Sequence, residues 1–132
     1  MIEDRKTQQK KIGNIIRLCM SMICGMQNNK YKQPKFVENS AMDSVYYKAV
    51  SMIDNGKFCE AENYIYEELN PEDSDESYVM LCIYDYMNDL PDTFIEAGNF
   101  SRQEIREGID YIIDKRNANF ITYLLGDEYV GF

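Results

Sequence analysis

Three groups of side chains in this sequence have the chemistry to ligate or react: four cysteines, an acidic run at 72–76, and paired glutamates such as Glu67 and Glu68. Cys19, Cys24, Cys59 and Cys82 form no C-x-x-C pair, and the chain has no histidine to complete a zinc site. Each cysteine sits beside apolar residues in a helical pattern, where a reduced thiol acts as a small buried hydrophobe. Reduced thiols fit a cytoplasmic protein. The run Glu72-Asp73-Ser74-Asp75-Glu76 offers oxygen ligands, but a calcium loop also needs a central glycine, which is missing. The expected role of these acids is to cap a helix, whose positive N-terminal end favours them.

The lack of histidine also removes the commonest general base near neutral pH. The glycines are isolated, so no glycine-rich loop can cradle a phosphate. Paired carboxylates on an acidic surface are ordinarily solvated. The sequence therefore predicts no enzyme, with no catalytic residue, no metal ligand and no cofactor.

The chain is long enough, at 132 residues, to bury one hydrophobic core. Its 45% hydrophobic and 13% aromatic content oppose disorder. The net charge of −9 hides a division. Residues 1–40 carry eight Lys or Arg against three acids, and residues 41–132 carry six against twenty. A basic N-terminal segment facing an acidic body allows attraction between two surfaces of one fold.

The elements that would position these groups are helices. Ile12, Ile15, Ile16, Cys19, Met22, Ile23 and Met26 recur at helical spacing and share one face of a basic helix from about Asp4 to Gly25. That helix is too short and polar to span a bilayer. Asn14, Arg17 and Ser21 interrupt any signal-peptide pattern. Residues 27–40 lack a helical period, contain Pro34 and read as a connection. A helix capped by Ser40 or Asp43 runs to Asp54, and Gly56 supplies the positive φ that ends it. A partner helix runs from about Cys59 to Leu69, with Ala49 facing Ala61 so that the two approach closely. The expected hairpin core is Ala49, Met52, Ile53, Phe58, Ala61 and Ile65.

Beyond Pro71, a helix to Leu90 carries Val79, Cys82, Ile83, Tyr86, Met87 and Leu90 as its inner stripe. Pro91 opens a short helical turn through Phe94 and Ile95, closed by Gly98. Ser101-Arg102-Gln103-Glu104 is a capping box, with Phe100 and Ile105 placed as a hydrophobic staple. The helix after it buries Ile105, Gly108, Ile109 and Ile112. A last short helix at Asn119–Leu125 precedes an aromatic tail. The predicted fold is all-α: one helical domain of five to six helices, with residues 1–26 as the basic helix and 41–132 as the acidic body.

Asn55–Leu69, NGKFCEAENYIYEEL, resembles the turn and second helix of a tetratricopeptide repeat through Gly56, Phe58, Glu60, Ala61 and Ile65, with Ala49 at the small position of the first helix. No second copy follows at the repeat period. More of the chain, through IDNGKFCEAENYIYEEL and YDYMNDLPDTFIEAGNFSRQEIREGIDYI, resembles a family of small, uncharacterised helical proteins of Gram-positive bacteria. That resemblance implies a fold and a bacterial setting, and it carries no functional residues.

The function expected from these features is a small cytoplasmic protein–protein interaction module. Its predicted partner surface is the stripe Ile12, Ile15, Ile16, Cys19, Met22, Ile23 and Met26, which could also pair two copies as a homodimer. One alternative is an acidic inhibitor or decoy of a nucleic-acid-binding partner, its carboxylates imitating a phosphate row. Another is a peripheral membrane adaptor working through the basic helix, although that helix lacks Trp and Phe anchors. The acidic balance disfavours direct binding of nucleic acid.

Overall fold

The computed structural model describes residues 5–23, 41–119 and 121, which form six helices and no strand. They are α1 (Arg5–Ile23), α2 (Ala41–Asp54), α3 (Phe58–Glu68), α4 (Ser74–Asn88), α5 (Asp92–Ala97) and α6 (Arg102–Lys115). The fold is all-α. The predicted connection at 27–40 lies outside the described residues. So does the predicted final helix, apart from Asn119 and Ile121.

Local chemistry sets the helix ends. α2 stops where Gly56 takes φ +78° and its N–H donates to the Ile53 carbonyl at 2.8 Å, while Lys57 N–H reaches Met52 at 2.9 Å. This pair of backward hydrogen bonds is the Schellman motif. The same pair closes α5 through Asn99 and Phe100, and α6 through Asn117 and Ala118. Asn99 and Asn117 stand at φ 58° and 54°, the left-handed region that asparagine tolerates. The short helix α5 closes at Gly98, as expected, and Asn99 after it takes the positive φ. Gly98 serves packing: a Cβ there would overlap the Phe58 ring and lie 2.8 Å from the Gly56 carbonyl oxygen.

At the starts, Asp73 caps α4 by accepting from Glu76 N–H at 2.9 Å. Ser101 caps α6 by accepting from Glu104 N–H at 3.2 Å, and Phe100 and Ile105 beside that cap are both buried. The acidic run therefore begins a helix, as its sequence implied.

α4 is the axis of the molecule. Its predicted one-sided stripe is too narrow, because Met80, Leu81 and Tyr84 are buried along with Val79, Cys82, Ile83 and Met87. The reason is that α1, α2 and α6 all pack on it. A helix enclosed on several sides loses its polar face. On one side, α2 and α3 form the hairpin, joined by residues 55–57, with Ala49, Ile53, Phe58, Ala61 and Ile65 buried at their contact. Met52 is half-buried. Phe58 stacks on Phe100 at 5.4 Å between ring centres and meets Phe94 edge-on at 5.8 Å, joining the hairpin to α5 and the start of α6.

On the other side, α1 lies against α4 and α6. Gln9 and Asn88 exchange side-chain-to-carbonyl hydrogen bonds of 3.0 Å in each direction. Arg102 then joins α6 to the 88–92 segment. It donates to Asp92 at 2.8 Å, to the Asn88 carbonyl and side chain at 2.7 and 2.8 Å, and to the Leu90 carbonyl at 2.9 Å. Among the described residues no helix is long and apolar enough to cross a membrane.

Candidate functional face on α3, α4 and α6

Glu62 and Tyr66 are four residues apart on α3, and Glu107 and Tyr111 are four apart on α6. That spacing puts each acid and its tyrosine on one side of its helix. α4 lies between and contributes Tyr84, which is fully buried. Its ring passes over Gly108, where a Cβ would collide with the ring and hydroxyl. The missing side chain at 108 lets the Tyr84 hydroxyl reach Glu62 at 2.7 Å.

Tyr66 completes the cluster. Its hydroxyl lies 2.6 Å from that of Tyr84 and donates weakly to Glu62 at 3.4 Å. Its ring meets that of Tyr111 at 5.3 Å between centres, tilted by 49°. Both rings are also open to solvent, at 38% for Tyr66 and 41% for Tyr111. The ammonium of Lys115 stands 5.5 Å from the centre of the Tyr111 ring.

Burial holds the Glu62 carboxyl above its ordinary range, the two tyrosine hydrogen bonds oppose that shift, and Glu104 and Glu107 reinforce it. All the charged groups acting on Glu62 in this way are carboxylates. Burial pushes the Tyr66 phenol up to about 12 and the Tyr84 phenol well above its usual value. Both phenols therefore stay protonated near neutral pH, where they serve as hydrogen-bond donors. The arrangement displays two tyrosine rings, pinned from beneath by a third and bordered by three glutamates.

The partner surface expected from sequence lies elsewhere and is mostly internal. Ile12, Ile15, Ile16 and Cys19 are fully buried within the chain, because α1 turns this face onto α4 and α6. These four are core in this fold. Met22, at 45% exposure, is the member left at the surface. The Ile23 side chain and Met26 lie outside the described residues. Cys82 is buried as expected, but Cys59 is exposed rather than a buried hydrophobe; slight desolvation raises its thiol, and Glu104 and Glu62 add to the shift. Among the described residues no group of three or more Cys, Asp or Glu is placed to hold a metal ion.

Two surface depressions are less suited to a ligand. One, of about 230 Å³, includes Gln8, Asp92 and Arg102, but the Arg102 guanidinium is engaged by the fold. The other, of about 480 Å³, includes Tyr64, Leu69, Asp73 and Glu76. There Asp73 caps α4 and Glu76 accepts from Asn70 N–H at 3.0 Å. The tyrosine face was missed at the level of sequence. The usable signal is the E-x-x-x-Y spacing, which occurs at 60–64, 62–66 and 107–111; the fold brings the tyrosines of the last two together.

The chain belongs to a family of unknown function, DUF6483, whose model matches residues 3–117 and so includes every residue of this face. No curated protein and no solved structure matches it.

Proposed function

We propose that this protein works by contact, as a small helical protein–protein interaction module without catalytic activity, and that the tyrosine face of α3 and α6 is its docking surface. The observation that carries this reading is the pair of half-exposed rings, Tyr66 and Tyr111, held against each other above buried Tyr84. Tyrosine is enriched at interface anchors because it offers a large rigid contact area with a polar tip. Here the rigidity comes from the fold, so little side-chain freedom remains to be lost on docking.

A cytoplasmic bacterial setting and a tetratricopeptide-like role for the α2–α3 hairpin belong to this same reading. The free cysteines support the cytoplasmic setting, and the packing of α2 on α3 with Ala49 and Ala61 both buried supports the hairpin role. The homodimer and membrane readings both drew on the α1 stripe. Of that stripe, Ile12, Ile15, Ile16 and Cys19 are buried within the chain, which takes support from both readings, and Met22 is exposed. The acidic-inhibitor reading keeps its support in the carboxylates beside the rings.

The test compares the parent chain with a Tyr66→Ala/Tyr111→Ala double variant as baits in extract of the native cell. The reading expects a protein retained by the parent and lost from a variant with unchanged helical circular dichroism. Equal retention by both would remove this face from the function.

A further inference from the structure

The chemistry of the tyrosine face selects its partner. We infer that this face binds a basic polypeptide segment, with an arginine or lysine side chain of the partner seated against Tyr66 and Tyr111 and its charge met by Glu62, Glu104 and Glu107. The inference rests on the docking reading above and adds the identity of the occupant.

Three observations converge. The first is charge: Glu104 and Glu107 are the charged groups that act on Glu62, and both repel it. A cation placed among these carboxylates relieves that repulsion, whereas an acidic partner worsens it. The second is ring chemistry. The face of a tyrosine ring attracts cations through its quadrupole, and two partly open rings meet here at 5.3 Å. The third is a cation already in place: the Lys115 ammonium stands over the Tyr111 ring at 5.5 Å. The Tyr111 ring thus attracts an ammonium within the fold, and a partner cation seats on the Tyr66 side of the pair or displaces Lys115.

The wider chain agrees. Residues 41–132 carry twenty acids against six basic residues, so a basic segment is drawn toward the body before it is positioned. Long-range attraction alone would be indifferent to where the segment lands. The paired rings supply the local preference, and they favour arginine, whose planar guanidinium stacks on aromatic faces better than an ammonium does.

The experiment is titration of the full chain with octa-arginine, octa-lysine and octa-glutamate peptides, followed by calorimetry and by the tyrosine ring signals in NMR. Octa-arginine should bind more tightly than octa-lysine and shift the Tyr66 and Tyr111 signals, and octa-glutamate should not bind. A Glu107→Gln/Tyr111→Leu variant should weaken octa-arginine about fivefold, as expected for loss of a surface cation–ring contact. A Glu72→Gln/Asp75→Asn variant removes exposed acids from another face and should change it less than about twofold. Equal weakening by both variants would mean that net charge alone drives binding, and the inference would be overturned. No binding of octa-arginine overturns it as well. If octa-arginine fails but the Tyr66→Ala/Tyr111→Ala bait still loses its cellular partner, the docking surface stands and its cationic occupant falls. If octa-arginine binds as expected but that bait keeps its partners, the cation site stands and the docking reading falls.

Discussion

Tyr84 on α4 occupies the space that a side chain at position 108 of α6 would fill. This one relationship sets the approach of the two helices, and it delivers the Tyr84 hydroxyl to Glu62 and Tyr66. The docking face is therefore built on a packing contact of the core.

Gly108→Ala tests that contact. In an exposed helix the change would stabilise by about 1 kcal/mol through propensity. Here the added methyl meets the Tyr84 ring, and overpacking of this kind costs about 1–3 kcal/mol. A net loss of stability in urea unfolding is expected. A variant as stable as the parent would show that α6 moves away freely.

Phe58→Ala should destabilise by about 3–5 kcal/mol, the cost of deleting a fully buried ring that cannot be replaced by collapse. Phe58 bridges the hairpin to Phe94 and Phe100, so the loss should appear as one cooperative shift of the unfolding midpoint. A separate early transition for residues 41–69 would show instead that the hairpin is only loosely joined to the rest.

Arg102→Lys should cost about 2–4 kcal/mol although the charge is kept. Lysine cannot reproduce the fork that holds Asp92, Asn88 and Leu90 together; it withdraws donors from the Leu90 carbonyl and the Asn88 side chain, and the Asn88 carbonyl keeps Gln9. Asp92→Asn should cost less, because Asp92 is partly exposed and the backbone acceptors remain. Urea midpoints of the two variants give the comparison; a larger loss in Asp92→Asn would place the weight on the ion pair.

Much of this architecture is legible in the sequence because it is local. Gly56, Ser101 and the acids after Pro71 announce helix ends through hydrogen bonds within a few residues, and those ends stand where the residues put them. The role of the α1 stripe was not legible. Apolar residues at helical spacing look the same whether a neighbour within the chain or a partner covers them. Ile12, Ile15, Ile16 and Cys19 proved to be covered by α4 and α6. The tyrosine face was hidden for a related reason: Tyr66, Tyr84 and Tyr111 lie on three helices, and only the tertiary fold brings them together. Gly98 shows the same limit, since its neighbour across the fold, Phe58, is forty residues away in the chain.

Asp85 predicts a pH dependence. Burial pushes its carboxyl up to about 7, Asp89 adds to the shift and Arg17 on α1 opposes it. Its folded value thus lies above the unfolded one near 3.8, so the folded state holds the extra proton between the two. Stability from this group is fully present below about pH 4 and declines as pH rises through about 7. Asp85→Asn removes that decline, and above pH 7 it should stabilise by on the order of a few kcal/mol. Thermal melts of parent and variant should diverge from pH 5 to about 7 and run parallel from there to pH 9. Curves parallel over the whole range would mean Asp85 is ionised throughout.

Amide hydrogen exchange on the full chain, with and without the partner retained by the parent bait, tests the central claim most directly. If the protein docks through its tyrosine face, added protection will be confined to α3 around Glu62–Tyr66 and to α6 around Glu104–Lys115. Protection that instead falls on α1, or on Ser44, Val45 and the acidic cap at 72–76, would contradict the account.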